Sequence, residues 1–288
     1  MDKIYLQMFS FGEFDPALTR AQICAAADMG YSGVELFATN FEMPAEEMKE
    51  LLENRELEAV SLHTNADKVE EMIPYAKALG MSYIGIGMHY IPDHKAALEF
   101  AKTLNELGAK CQEAGLMVTY HNHTQEFNVF DGEKVIDTLM EHTDPALVGF
   151  ELDAGWCSAA GEDPVAFINS HKGRIKLIHV KETDKVIGPE PPMNPADMKF
   201  DEKGRPVISD EMKKANELKM SMDCPTGQGI NDWNAIKAAA DAQGCHIYIV
   251  EREYTYKGTR MDCLKRGSGI SSEKCALMAG MKIILSPC

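Results

Sequence analysis

The sequence predicts an α/β protein with a single (β/α)8 barrel, and three observations lead to that prediction. Eight short runs of apolar, β-branched or aromatic residues recur along the 288 residues. An amphipathic segment with helical periodicity separates each run from the next. A glycine follows several of these segments, for example Gly80 and Gly115, at the position where a helix end favours a left-handed residue. Eight such alternations are typical of a closed parallel barrel.

The predicted strands have continuous apolar cores, such as residues 247–250, which is typical of parallel strands buried on both faces. In chain order they are residues 4–9, 33–37, 59–63, 83–88, 117–121, 148–152, 175–180 and 246–251. The predicted helices between them are residues 18–29, 45–54, 67–79, 94–114, 132–142, 164–170 and 233–243. Asp163 before Pro164 marks one helix start, since a carboxylate caps the first turn and proline tolerates its first position.

An open doubly wound sheet is the alternative to the barrel. Such a sheet usually has fewer strands and carries a glycine-rich phosphate-binding turn after its first strand. The residues at that place read Ser-Phe-Gly-Glu-Phe from position 10 to 14, without the required glycines. The barrel is therefore the favoured fold.

The composition excludes several classes of function. Lysine and arginine number 29 against 45 acidic residues, so the formal charge is −16, which disfavours binding to nucleic acid or anionic lipid. No apolar run approaches the roughly 18 residues of a transmembrane helix, and the first residues do not resemble a secretory signal. The eight cysteines form no CxxC pair, and free thiols are expected. These features predict a cytoplasmic protein with a small-molecule partner, and they leave homo-oligomerisation open.

Ionisable residues collect at the carboxyl ends of the predicted strands, where barrel enzymes place their reactive groups. Glu126, Asp153, His179 and Glu251 come from four successive β/α units. A single acid at a strand end is usually a helix cap or an ion-pair partner. Four residues at one rim, however, are costly to bury unless they share a cation. Three carboxylates and one imidazole predict one divalent ion, with Mn²⁺ first and Mg²⁺, Co²⁺ or Zn²⁺ as alternatives.

Five further residues near the strand ends are candidates for binding substrate. They are His63, His89, His121, His123 and Trp156. The alternative for each histidine is a hydrogen-bonded structural role, and the alternative for Trp156 is packing at the rim. Lys181 and Arg252 are expected to point away from the metal and to pair with carboxylates.

These motifs resemble the xylose-isomerase-like sugar isomerases and epimerases, over a stretch from the first predicted strand to about Tyr254. The most specific pieces are Tyr-His-Asn-His at 120–123, Glu-Leu-Asp-Ala-Gly-Trp at 151–156, Gly-Glu-Asp-Pro at 161–164 and His-Val-Lys-Glu at 179–182. That family includes ketose 3-epimerases, hydroxypyruvate isomerases, inosose dehydratases and metal-dependent abasic-site endonucleases. The resemblance implies that Glu126, Asp153, His179 and Glu251 are the metal ligands.

The chain departs from the family pattern at three places. Lys181-Glu182 stands where relatives commonly have Lys-Asp. Trp156 holds a position where ketose epimerases usually carry a histidine near the metal-bound aspartate. The residues after Tyr254 do not look like a normal family ending, so the substrate is less certain than the fold.

Together, the residues and the resemblance lead to the hypothesis of a divalent-metal-dependent isomerase or epimerase of a sugar or keto-sugar. Glu126 and Glu251 would remove and return a proton next to the carbonyl, through an enediolate that the cation stabilises. A lyase or dehydratase, such as an inosose dehydratase or a 3-oxo-glycoside-cleaving enzyme, is the alternative. A non-catalytic sugar-binding barrel is more remote. Because no Lys/Arg cluster stands out at the strand ends, a neutral sugar is favoured over a sugar phosphate.

The length of the chain exceeds the roughly 250 residues typical of this barrel, and the surplus has two locations. Residues 1–266 are expected to form the barrel, with an unusually long rim loop at 183–228 that we interpret as a lid over part of the site. Residues 267–288 form an atypical carboxyl-terminal tail, whose role the sequence leaves open.

Overall fold

A computed structural model describes residues 3–192, 194, 199–200, 206–207, 209–255 and 258–267. Eight parallel strands close into a barrel in which each strand pairs with the next along the chain and the last pairs with the first. The strands are β1 (Ile4–Gln7), β2 (Gly33–Phe37), β3 (Glu58–Thr64), β4 (Tyr83–Ile86), β5 (Met117–His121), β6 (Val148–Asp153), β7 (Ile175–Val180) and β8 (Tyr248–Val250). The predicted (β/α)8 barrel is confirmed.

Helices surround the barrel and cover its outer face. In the described residues they are α1 (Thr19–Asp28), α2 (Ala45–Asn54), α3 (Val69–Ala78), α4 (His94–Glu113), α5 (Val135–Glu141), α6 (Ala154–Ala159), α7 (Pro164–Ser170), α8 (Asp210–Met222), α9 (Trp233–Ala242) and α10 (Arg260–Gly267). Helix α7 begins as its sequence predicts, because Asp163 accepts hydrogen bonds from the first-turn N–H groups of Val165 and Ala166. None of the described helices combines the length and apolarity needed to cross a lipid bilayer.

The barrel interior is apolar at its amino end and polar towards its carboxyl end. Tyr5, Val60, Leu177 and Ile249 form a small apolar cluster inside the amino end of the barrel. Two residues beyond Tyr5, Leu177 and Ile249 lie the polar residues Gln7, His179 and Glu251, and Glu35 of β2 and Glu151 of β6 join the same buried polar layer. Because residues two apart on a strand share a face, one apolar layer supports a layer of buried charged side chains. The larger apolar core lies between the strands and the outer helices.

Two irregularities in the strand pairing lie beside glutamates of that polar layer. The register of β2 against β3 shifts between Val34 and Glu35, and that of β6 against β7 shifts between Phe150 and Glu151. Such bulges re-aim side chains and are over-represented next to active sites. Both shifts therefore help to set the directions of the Glu35 and Glu151 side chains.

The long connection between β7 and β8 is tied to the barrel by Glu182. Its buried carboxylate accepts hydrogen bonds from Trp233 Nε1 at 2.7 Å, Gly227 N at 2.8 Å and Asn231 Nδ2 at 2.9 Å. Thr183 and Asp223 also form a β-bridge near the two ends of the rim loop at 183–228, which we call the excursion. One carboxylate thus joins the end of β7 to the start of α9.

Replacing Glu182 by alanine should lower the free energy of unfolding by roughly 3 kcal/mol, because buried donors lose a charged acceptor. Urea denaturation followed by circular dichroism measures the change. Asp184→Ala is the matched control, since the Asp184 carboxylate is half exposed and its ion pair is with Lys185. Equal stability of the two variants would contradict this role for Glu182.

The described cysteines and the carboxyl-terminal residues bear on two predictions from the sequence. Among the described residues, Cys111, Cys157, Cys224 and Cys245 have free thiols. Cys24 is disulfide-bonded, so the expectation of free thiols throughout is wrong for that residue. The tail predicted at 267–288 lies outside the described residues except for Gly267, which ends α10.

Candidate active site

Four side chains from consecutive strands converge at the carboxyl end of the barrel. They are His121 from β5, Asp153 from β6, His179 from β7 and Glu251 directly after β8. One ligand atom from each lies within 4.8 Å of the others, and all four residues are buried. We call this group the rim cluster. It contains three of the four metal ligands that the sequence analysis proposed, with His121 as the fourth member.

The rim cluster has the donors and the vacant lone pairs that a divalent cation requires. Asp153 Oδ2 is buried without a hydrogen-bond partner, whereas the other carboxylate oxygen, Asp153 Oδ1, accepts from Trp156 N at 2.7 Å. His121 faces the cluster with Nε2, which lies 3.0 Å from His179 Nδ1 and 3.6 Å from Asp153 Oδ2. Burial raises the pKa of Asp153 to about 7 against the opposing charge of Lys181. A desolvated carboxylate of this kind is stabilised by a bound cation. Two imidazoles and two carboxylates are an ordinary ligand set for such an ion.

Lys181 lies inside the barrel beside the rim cluster. Its ammonium group is 2.9 Å from Glu251 Oε2 and 3.7 Å from Asp153 Oδ2, and it also contacts Glu253. Burial opposes its charge, but these carboxylates raise the pKa of Lys181 above its usual value. Lys181 pairs with carboxylates as predicted. The expectation that it points away from the cluster is wrong, because Lys181 follows His179 by two residues and shares its face.

Arg252 follows the prediction that the sequence analysis made for it. Its guanidinium lies 3.3 Å from Asp223 Oδ1 and donates to Thr226 Oγ1 at 2.6 Å. These partners belong to the excursion rather than to the rim cluster. Arg252 thus attaches the excursion to the end of β8.

A second group of ionisable side chains lies deeper in the barrel and shares His179 with the rim cluster. Glu35, His63, Glu151 and His179 also bring one ligand atom each to within 4.8 Å of the others. We call them the inner cluster. His63 Nε2 is 2.5 Å from Glu151 Oε2, and His179 Nε2 is 2.8 Å from Glu35 Oε2. The predicted substrate-binding residue His63 is therefore part of a buried charge network.

The inner cluster is electrostatically balanced. Burial lowers the pKa of His179, but the carboxylates of Glu151 and Glu35 raise it well above its usual value. Burial conversely raises the pKa of Glu151, yet His179 and His63 hold it well below the usual range. Carboxylates and imidazoles thus stabilise each other's charged forms in the interior.

Sequence reasoning missed Glu35 and Glu151, although both carry a readable signal. Glu35 is the charged residue in the middle of the otherwise apolar run 33–37, and Glu151 precedes Asp153 by two residues. A carboxylate inside a buried strand needs a partner. Looking for charges within the strands, and not only at their ends, would have found both residues.

Glu126 lies apart from the other three predicted ligands. It sits on a short 3-10 helix after β5, and its buried carboxylate accepts from Tyr120 Oη at 2.7 Å and from His123 N at 2.7 Å. Burial raises the pKa of Glu126, against the hydrogen bond from Tyr120. The structure does not bring Glu126 into either cluster.

The remaining predicted substrate residues lie at different distances from the clusters. His123 packs edge-on against His121 at 4.9 Å between ring centroids, and burial lowers its pKa to about 3. Trp156 packs beneath Lys181, whose ammonium lies 4.6 Å from the indole ring centroid. His89 instead stacks on Phe100 of α4 at 3.8 Å and belongs to neither cluster.

A small cleft opens next to the rim cluster. Its lining includes Trp156, Lys181, Lys219, Glu253 and Tyr254, and its volume of about 10 Å³ has room for about one water molecule. Lys219 comes from α8 in the excursion, and its ammonium lies 5.5 Å from the Trp156 ring centroid. In this structure the cleft is therefore smaller than a sugar.

The described part of the excursion lies against this cleft. Lys219 forms an ion pair with Glu190 at 3.0 Å, and Glu190 is held by Thr124 Oγ1 at 3.1 Å and by Asn128 Nδ2 at 2.6 Å. These contacts connect the excursion to the loop after β5. Its role as a lid stays a prediction.

Comparison with known protein families agrees with this architecture. A family model described as xylose isomerase-like TIM barrel matches residues 23–269. The chain belongs to the xylose isomerase-like TIM barrel family. Members of this family that resemble the chain include isomerases, epimerases and dehydratases.

Three similar proteins illustrate the range of this xylose isomerase-like family. An inosose dehydratase of Clostridium tetani is 40% identical over 84 residues, which are 29% of this chain and 28% of that protein. A sugar phosphate isomerase/epimerase structure from Parabacteroides distasonis superposes with a TM-score of 0.68 at 21% identity over 92% of both chains. The structure of IOLI protein with a binding zinc atom superposes with a TM-score of 0.67 at 14% identity, over 97% of this chain and 100% of that one. The two structures show the shared fold, and the dehydratase match spans under a third of its protein.

Proposed function

We propose that the protein is a divalent-metal-dependent isomerase or epimerase that acts on a sugar or keto-sugar. The observation that carries the proposal is the rim cluster, where two buried imidazoles and two buried carboxylates meet at the carboxyl ends of four strands and Asp153 Oδ2 has no hydrogen-bond partner. The active site of a (β/α)8 barrel usually lies at this end of the strands.

The proposed ligands are His121, Asp153, His179 and Glu251, so that His121 takes the place first given to Glu126. A bound divalent cation would stabilise the negative charge that develops on the substrate's carbonyl oxygen when the neighbouring proton is removed. Two imidazole ligands favour Mn²⁺, Co²⁺ or Zn²⁺ over Mg²⁺, which prefers oxygen ligands. Mn²⁺ remains the first ion to test.

Glu251 and Lys181 are the proposed proton-transfer groups, so that Lys181 takes the part first given to Glu126, which lies in neither cluster. Burial opposes ionisation of Glu251, but Lys181 and His179 hold its pKa well below the usual value, so it is a carboxylate able to accept a proton. Lys181 lines the cleft 2.9 Å from Glu251 and is protonated, so it is placed to return a proton. Because the two groups are in contact, they suit return of the proton to the neighbouring carbon, which gives isomerisation. Epimerisation would require a proton donor on the opposite face of the same carbon.

A dehydratase is the second candidate, and the local likeness to the Clostridium tetani inosose dehydratase favours it. The first step is the same removal of a proton next to a carbonyl. Lys181 would then protonate a departing hydroxyl group on the adjacent carbon. The product would be an enone that absorbs in the ultraviolet, which an epimerase does not form.

Exchange of substrate protons with deuterated water tests the proposal directly. The metal-free protein and the Mn²⁺-loaded protein are incubated with a panel of ketoses, keto-inositols and 3-oxo-glycosides, and exchange is followed by NMR. Metal-dependent deuterium incorporation next to the carbonyl is the expected result. A metal-loaded protein that binds these compounds without exchange would be a sugar-binding barrel, and the proposal would be wrong.

The lid interpretation predicts a loss of efficiency when the excursion is shortened. Replacing residues 189–219 by a short linker removes Lys219 from the cleft, together with its ion-pair partner Glu190. We expect kcat/KM to fall at least about tenfold, which corresponds to a loss of ~1.4 kcal/mol of transition-state stabilisation. Lys213→Ala is the control, because its ammonium is exposed and contacts Asp210 on the same helix. Unchanged kcat/KM in the shortened protein would assign the excursion to another role.

A further inference from the structure

We propose that Glu35 is a positioning residue that fixes the orientation and the tautomer of His179. Glu35 would accept the Nε2–H of the imidazole and so leave Nδ1 with a free lone pair for the metal ion. The inference rests on the proposed metal-dependent function. It adds a role for a residue on β2, which lies three strands around the barrel from β7 and four from β6.

The two ring nitrogens of His179 face the two different clusters. Nδ1 lies 3.0 Å from His121 Nε2 and 3.3 Å from Glu251 Oε2, both in the rim cluster. Nε2 lies 2.8 Å from Glu35 Oε2 in the inner cluster. Which ring nitrogen is available to a metal depends on the hydrogen bond that the other one makes. A metal-bound histidine usually donates its second N–H to a carboxylate, as His179 does to Glu35 here.

Two hydrogen bonds hold the Glu35 carboxylate in place. Gln7 Nε2 donates to Glu35 Oε2 at 2.7 Å, and Ser61 Oγ donates to Glu35 Oε1 at 2.5 Å. Glu35 and its two donors are each 0% exposed to solvent. Both oxygens therefore have fixed partners, and the carboxylate holds its place whether or not a ligand is bound nearby.

Glu151 is the competing acceptor, and its geometry is less suitable. Its Oε1 atom lies 3.0 Å from His179 Nε2 but accepts no hydrogen bond, while its Oε2 atom is 2.5 Å from His63 Nε2. A single N–H is directed at one acceptor, and here that acceptor is Glu35. Glu151 contributes charge to His179 and forms its close contact with His63.

A second cation within the inner cluster is the alternative interpretation. The four side chains approach closely enough to hold one. However, both oxygens of Glu35 already accept hydrogen bonds from neutral side chains. The unpartnered Glu151 Oε1 lies 3.0 Å from His179 Nε2, whereas the unpartnered Asp153 Oδ2 of the rim cluster lies 3.7 Å from the Lys181 ammonium. The structure therefore assigns the metal to the rim cluster and a positioning role to Glu35.

Glu35→Gln is the decisive variant, because glutamine keeps the size of the side chain but removes its charge and one acceptor oxygen. We expect its Zn²⁺ or Mn²⁺ affinity, measured by titration of the metal-free protein, to fall about 10- to 100-fold. In nitrogen-15 NMR of the Zn²⁺-loaded wild type, His179 should carry its proton on Nε2, and in Glu35→Gln this proton should exchange faster with solvent. Glu58→Gln is the control, since Glu58 lies at the amino end of β3 and contacts Lys3 and Tyr5.

The outcomes separate the inference from the proposed function. A wild-type protein that binds no divalent metal would contradict both. Metal binding in the wild type with equal affinity and an unchanged His179 signal in Glu35→Gln would overturn the positioning role alone. Two bound ions in the wild type, of which Glu35→Gln loses one, would overturn it as well and would place a cation in the inner cluster.

Discussion

Replacing Glu251 by glutamine should lower turnover by about 10²- to 10⁴-fold while the barrel stays folded, because the variant lacks the carboxylate that accepts the substrate's proton. Glutamine keeps the shape of the side chain and an oxygen that can accept from Lys181. The rate should be measured at saturating Mn²⁺, since Glu251 is also a proposed ligand. Near-normal turnover at full metal occupancy would rule out Glu251 as the base.

Glu253→Gln is the matched control for this experiment. Glu253 follows Glu251 by two residues and contacts the same Lys181, but it lies outside the rim cluster. Its substitution should reduce turnover less than tenfold. If both variants lost activity equally, the loss would come from a disturbed Lys181 rather than from the missing base.

The second large effect is expected for metal binding in Asp153→Asn. Asparagine keeps the oxygen that caps α6 through Trp156 N, so the helix start is preserved. It removes the negative charge from the atom Oδ2, which is buried and has no hydrogen-bond partner. Losing a ligand should lower the metal affinity by at least roughly 100-fold, the upper end of the effect of removing a hydrogen-bond partner of a metal ligand. Calorimetric titration of the metal-free protein with Mn²⁺ or Zn²⁺ measures the change.

Glu126→Gln distinguishes the two ligand sets. Glu126 was a ligand in the set predicted from the sequence, whereas in the structure its carboxylate accepts from Tyr120 Oη and His123 N. Under the present proposal Glu126→Gln binds metal as tightly as the wild type, while Asp153→Asn does not. Loss of metal in Glu126→Gln together with full binding in a His121→Ala variant would favour the original set.

The architecture could be read from local patterns because each pattern depends on neighbouring residues. The buried run at 247–250 became β8, and Asp163-Pro164 became the start of α7. Alternation between apolar strands and amphipathic helices repeats often enough to leave few other folds. The prediction of reactive groups at the strand ends followed from the barrel itself.

The composition of the site was harder to predict because it depends on side-chain direction. Glu126 and His121 both lie near the end of β5, but His121 is the last residue of the strand and points into the barrel. Glu126 lies five residues later, on a separate turn with its own hydrogen-bond donors. Sequence order places both near the rim and does not decide between them.

The sequence by itself determined the barrel, its strand order and the end of the barrel at which ionisable residues gather, since strand and helix periodicities are local properties. Only the tertiary structure decided which of those residues meet. Closure of the barrel brings Glu35 of β2 to within 2.8 Å of His179 on β7, although the two are separated by 144 positions in the chain. Contacts across the barrel interior are set by strand twist and register, which no run of neighbouring residues encodes.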